Sequence, residues 1–172
     1  KGFILPSLSV TNVNKNDWGQ TGQPISVRIT YYKDAYNEKG ELVGTENSAP
    51  ISTYADILSQ NIEVVLKRTG KSKVILIAHS MGGLVSREYL RKYGDVKVHK
   101  LITIGTPNKG IGSSKADCKL AWLWEGQTEV EEMWFDSAFI KRLSNDINTR
   151  SKYYTIAVNS SYYLKGNSLL LY

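Results

Sequence analysis

Six consecutive residues, Ala78-His79-Ser80-Met81-Gly82-Gly83, carry the clearest chemistry in the chain. They follow the apolar run Val74-Ile75-Leu76-Ile77-Ala78 and open a stretch of helical character from Met81 to Tyr93, with Gly94 as its stop. A serine set where a buried strand turns into a helix is forced onto a sharp, strained turn, its hydroxyl raised at the sheet edge. The small residues Ala78, Gly82 and Gly83 let strand and helix approach closely enough to make that turn. The helix start adds orphan backbone N–H groups and a partial positive charge, which stabilise a developing oxyanion. The chemistry implied is attack by Ser80 on an acyl carbonyl. A serine that merely capped a helix would need neither the wholly apolar strand nor the doubled glycine.

A serine hydroxyl is a poor nucleophile until a base takes its proton. The chain has two histidines, and both are badly placed. His79 adjoins Ser80, so its side chain leaves the strand in the opposite direction. His99 opens the strand that ends near Gly105, roughly 20 Å below the active edge at ~3.3 Å per residue. Beyond Asp146 there is no Asp or Glu; Asp117 is a weak alternative acid. Cys118 is the single cysteine and reads as a small packed residue. A lone thiol makes neither a disulfide framework nor a zinc site. No metal and no organic cofactor are expected.

The elements that must position Ser80 alternate between strand and helix. Ile25–Tyr32 alternates and is β-branched, which predicts a strand. Lys33–Pro50 is polar and reads as a long surface loop. Ser52 or Thr53 is expected to cap a helix with Ala55, Leu58, Ile62 and Val65 on its apolar face, closed by Gly70. Val74–Ala78 and Leu101–Gly105 predict parallel strands buried on both faces, and Tyr153–Val158 a further strand. Strands separated by helices imply a single α/β domain over residues 1–172, a three-layer αβα arrangement around a mostly parallel sheet.

Residues 111–150 interrupt this alternation. The stretch carries Trp122, Leu123, Trp124, Met133, Trp134 and Phe135 at the spacings of short amphipathic helices, broken by Glu129, Glu131 and Glu132. An insertion at this point emerges above the carboxyl ends of the strands, where ligands bind. So much aromatic surface is expected to form a mobile, lid-like cover that touches substrate and makes transient contact with a lipid or membrane surface. The alternative is a hydrophobic cluster packed permanently under its own helices.

Composition excludes several classes. The chain of 172 residues has 41% hydrophobic and 22% charged residues and a formal net charge of +6. The basic residues are scattered in ones and twos without interleaved aromatics, so no nucleic-acid face is expected. No apolar run approaches the ~20 residues that span a bilayer. The apolar part of Lys1–Pro6 is too short for a signal peptide. Nothing in the composition selects a compartment.

Val74 to Arg87, with Ala78 in place of the first glycine of a G-x-S-x-G pattern, resembles the nucleophile elbow of the α/β-hydrolase superfamily. The likeness is to bacterial-type triacylglycerol lipases and related lipase-like acyl-ester hydrolases. Leu101 to Gly110 resembles their next strand and loop, with Lys109 where a histidine is common. The resemblance implies a serine carboxylic-ester hydrolase working through an acyl-serine intermediate on a lipid or other acyl ester. It also implies an oxyanion hole made by the N–H of Met81 and a second N–H after a His-Gly pair. Lys1-Gly2-Phe3 is the matching place and gives Phe3, although Lys1 replaces the histidine. The family order is serine, acid, histidine. The acid, the last strand and helix, and the histidine are therefore expected from a C-terminal segment or a second chain. The alternative is a non-catalytic relative that binds lipid or a partner.

Overall fold

The computed structural model describes residues 9–10, 26–29, 33–36, 42–46, 49–112, 127–145 and 152–157. Two short antiparallel ribbons come first. β1 (Ser9–Val10) pairs with β2 (Val27–Arg28), and β3 (Lys33–Tyr36) with β4 (Leu42–Glu46), with a register shift between Ala35 and Tyr36. The β3–β4 ribbon corrects the expectation of a loop over Lys33–Pro50. Its strands carry charges at Lys33, Asp34 and Glu46, so the apolar alternation that marks a half-buried strand is missing.

The remainder follows the strand–helix alternation. α1 (Ile51–Thr69) leads to β5 (Val74–His79), α2 (Met81–Tyr93), β6 (Val98–Ile104), α3 (Gln127–Met133), α4 (Ala138–Asn145) and β7 (Lys152–Ile156). β5, β6 and β7 form a parallel sheet in that order, with His79 opposite Ile104 and Ile104 opposite Ile156. Their carboxyl ends therefore share one edge, and α2 leaves that edge directly after Ser80.

α2 packs on β5 and β6, and α1 packs on α2. Ile51, Tyr54, Leu84, Val85, Leu101 and Leu143 are among the fully buried side chains of this core. β5 is buried on one face only: Leu76 and Ala78 face the helices, whereas Ile75 and Ile77 are 53% and 69% exposed. The opposite face also carries Tyr154 and Ile156, and a second helical layer over it is not among the described residues. Burial on both faces thus does not hold for the described residues, while the parallel α/β class does. No described helix is long and apolar enough to cross a membrane.

α1 ends as expected, with Gly70 at φ 66° donating its N–H to the Leu66 carbonyl at 2.9 Å. Its start is different. Pro50 occupies the N-cap and has no side-chain bond, while Ser52 and Thr53 fall inside the first turn. The Ile51 N–H donates instead to the Glu132 carboxylate of α3 at 2.5 Å. A carboxylate there satisfies one orphan donor and meets the positive end of the helix dipole.

Burial pushes the Glu132 carboxyl above the usual glutamate range, and its neighbour Glu88 adds to this, while the Ile51 N–H and Arg142 pull it back in part. A raised native pKa means stability present below the unfolded value, about 4.3, and lost as pH rises through the native one. Glu132→Gln keeps an acceptor for Ile51 and removes the titration. Its melting temperature is expected to gain on the wild type as pH goes from about 4 to 7. A wild type that gains on the variant across that window contradicts the assignment.

Candidate active site

Ser80 sits between β5 and α2 with φ 52° and ψ −129°, the one described non-glycine residue with positive φ. Such a conformation costs roughly 1–3 kcal/mol and persists only where the surroundings over-determine it. Here they do. The Ser80 N–H donates to the Ile104 carbonyl at 2.9 Å, and the Ser80 carbonyl accepts from the Gly83 N–H at 3.1 Å and the Thr106 hydroxyl at 2.9 Å. The residue itself is exposed at the carboxyl edge of the sheet.

The small neighbours are required by contact. Ala78 is buried beneath α2. A Cβ on Gly83 would lie 2.1 Å from Thr106 Oγ1 and 2.6 Å from its Cγ2. Gly82 is half-buried, and its carbonyl accepts from the Ser86 hydroxyl at 2.8 Å. Met81 is buried and occupies the first position of α2, so its N–H has no intrahelical acceptor.

The loop after β6 is fastened from below by Arg87, a buried cation on α2. Its Nη1 donates to the Asn108 carbonyl at 2.9 Å and to Asn108 Oδ1 at 3.2 Å, and its Nη2 to the Leu143 carbonyl of α4 at 2.9 Å. Burial lowers the Arg87 pKa, with Tyr153 opposing. The next residue, Glu88, holds Arg91 at 2.7 Å and 2.9 Å and reaches Arg142 of α4 at 3.5 Å. Neither Arg87 nor Thr106 stood out in the sequence. A charged residue amid Leu84, Val85, Tyr89 and Leu90 was the available mark for Arg87.

Of the two histidines, one precedes Ser80 directly and the other lies far down β6. His79 is exposed on the sheet face that carries Ile75 and Ile77. His99 is the second residue of β6, five residues or roughly 17 Å from Ile104 at the active edge. Phe3, Asp117, Cys118, Trp122, Leu123 and Trp124 lie outside the described residues. No group of residues suited to hold a metal ion occurs among the described residues.

The described part of the aromatic insertion is packed inward. Val130, Met133 and Trp134 are buried, while Phe135 is 41% exposed. Two of the three glutamates also face in: buried Glu129 accepts from the Tyr54 hydroxyl, and Glu132 caps α1. Ile111 donates to the Met133 carbonyl at 2.8 Å and accepts from the Phe135 N–H at 3.2 Å. The close approach excludes side chains at Gly110 and Gly112, where a Cβ would lie 2.3 Å from the Phe135 backbone and 2.1 Å from the Trp134 ring.

Residues 13–172 match the family described as palmitoyl protein thioesterase. The chain belongs to that family. It has the lipase-like α/β-hydrolase fold expected from the elbow. The mature form of the Bacillus licheniformis lipase BlEst2 is similar at 25% identity and a TM-score of 0.53, covering 66% of this chain and 49% of that one. Its propeptide form is similar at 23% identity and a TM-score of 0.52, covering 66% and 27%. Aspergillus fumigatus lipase B aligns at 18% identity and a TM-score of 0.45, covering 55% and 23%. The thioesterase-family chain spans about half the length of the mature Bacillus lipase it matches. No curated protein matches it.

Proposed function

We propose that the protein is a serine acyl hydrolase with Ser80 as its nucleophile. The observation that carries this reading is the backbone of Ser80, held at φ 52° and ψ −129° with the residue exposed at the carboxyl edge of a parallel sheet. Ordinary helix caps stay in the β region and need no such strain. In the reaction Ser80 Oγ bonds to the acyl carbon and its proton passes to a base. The carbonyl oxygen takes the negative charge, stabilised by the Met81 N–H and a second donor, for which Phe3 is the candidate. Collapse expels the leaving group, and water then releases the acid from the acyl-serine. Loss of one oxyanion donor costs about 3 kcal/mol of transition-state stabilisation.

Neither histidine is placed to serve as the base, so in this reading the base is supplied by another segment or a second chain, and Asp117 stays a candidate acid. The substrate is a lipid or other acyl ester, as the Bacillus lipase suggests, and the family match favours a palmitoyl thioester on a protein. Both classes share the acyl-serine intermediate and differ in whether oxygen or sulfur leaves.

A fluorophosphonate probe is expected to label the whole protein at Ser80. Ser80→Ala should abolish the label, whereas His79→Ala and His99→Ala should keep its rate within about twofold. Labelling elsewhere, or none, removes the enzyme reading in favour of a lipid-binding relative. A large loss with either histidine variant overturns the placement of the base.

A further inference from the structure

We propose that Thr106 is a positioning residue that aims the Met81 N–H at the reacting oxygen, an inference resting on the reading of Ser80 as nucleophile. The argument starts from one peptide unit. The Ser80 carbonyl and the Met81 N–H belong to the same amide, which is planar and trans, so its C=O and N–H point in opposite directions. Whatever fixes the Ser80 oxygen therefore fixes the line of the Met81 hydrogen. Thr106 Oγ1 donates to that oxygen at 2.9 Å.

The Gly83 N–H also reaches the Ser80 oxygen, but at 3.1 Å and from within the same turn. It moves with α2 and cannot hold the plane against it. Thr106 approaches from a different element, two residues beyond the end of β6. Its side chain is 1% exposed and fills the space over Gly83, so the hydroxyl has no room to turn away. The loop behind it is itself tied down. The Gly105 N–H bonds the Ile156 carbonyl at 3.0 Å, the Thr106 carbonyl accepts from the Asn108 N–H at 2.8 Å, and Arg87 grips Asn108. A bond accepted by the carbonyl also polarises the amide and strengthens its N–H as a donor. Thr106 thus acts through Met81 without touching substrate.

The test uses the whole protein and a fluorophosphonate, whose phosphoryl oxygen takes the place of the substrate oxyanion. Thr106→Val keeps the shape and removes the donor. The maximal labelling rate, kinact, should fall about tenfold, less than the 10²–10³ lost with a whole donor, while KI stays within about twofold. Thr106→Ser restores the hydroxyl and should bring kinact back to within about twofold of the wild type. Where valine is not tolerated and the melting curve collapses, the Thr106→Ser and Thr106→Ala pair reads the same difference. Equal kinact for donor-bearing and donor-free variants, whether all fast or all slow, overturns the proposal. Failure of the wild type to label at Ser80 is a separate result, which overturns the nucleophile reading and this proposal with it.

Discussion

Gly83→Ala is expected to unseat the elbow, lowering the melting temperature by roughly 10 °C and slowing fluorophosphonate labelling of Ser80 more than tenfold. The new methyl would lie 2.1, 2.6 and 2.8 Å from Oγ1, Cγ2 and Cβ of Thr106. Rotating the threonine cannot relieve all three contacts, because its Cβ is fixed to a backbone bonded on both sides. Either α2 lifts away from β6 or the loop after β6 shifts, and both break the Thr106 bond to Ser80. Overpacking in a close-packed core costs up to about 3 kcal/mol, and each kcal/mol moves the melting point of a domain this size by roughly 2–4 °C. Gly70→Ala separates strain from clash. It keeps φ at 66° but meets nothing within 4 Å, so only the left-handed backbone is charged, about 1–2 kcal/mol. Labelling of that variant should match the wild type. Equal labelling of Gly83→Ala and Gly70→Ala, or a Gly83→Ala protein as stable as the wild type, contradicts the packing described here.

The contrast between those two glycines also shows what was legible from residue types. Gly70 closes a periodic helix and could be placed from sequence, as could the boundaries of α2. The elbow was legible because a run of apolar residues, a serine and small residues follow one another without a gap. Thr106 was not, although Gly105-Thr106-Pro107 visibly ends a strand. Its bond reaches a carbonyl 26 residues away and leaves no period in the chain. The start of α1 failed for the same reason: its cap comes from Glu132, 81 residues distant, while the local Ser52 and Thr53 are bypassed. The β3–β4 ribbon was hidden by charge. For Thr106 and the start of α1, a local rule was applied where a long-range contact decided.

Arg87, Glu129 and Glu132 share a design. Each is a charged group turned into the protein, and each ends on backbone, amide or hydroxyl groups of another element. Together they tie α2 to the loop after β6 and to α4, and α3 to the start of α1. Scattered single charges read as solvated surface; these are cross-braces around the carboxyl edge of the sheet.

Those braces bear on the aromatic insertion, and Trp134→Ala is expected to lower stability by ~3–5 kcal/mol. Trp134 is 8% exposed, its ring packs 5.2 Å from that of Phe135, and it covers Gly112 closely enough to exclude a Cβ. Removing it opens a void that the bonds between Ile111 and the Met133–Phe135 backbone prevent from collapsing. The consequence for activity follows from where those bonds lead. Ile111 continues the loop that carries Thr106 and Asn108, so a loosened Trp134 loosens the support of Ser80. Hydrolysis of soluble short-chain esters and of emulsified long-chain esters should therefore fall together, accompanied by a melting point lower by roughly 10 °C. A mobile cover behaves differently, because its tryptophan meets lipid and its loss spares the soluble substrate. Loss confined to emulsified substrate, with the melting point unchanged, would show that Trp134 belongs to a lid despite its burial. Glu129→Gln and Glu132→Gln provide a second reading. If α3 is a fixed brace, the double variant should leave the ratio of the two activities unchanged; if α3 is a latch, weakening it should raise activity on emulsified substrate above that of the wild type.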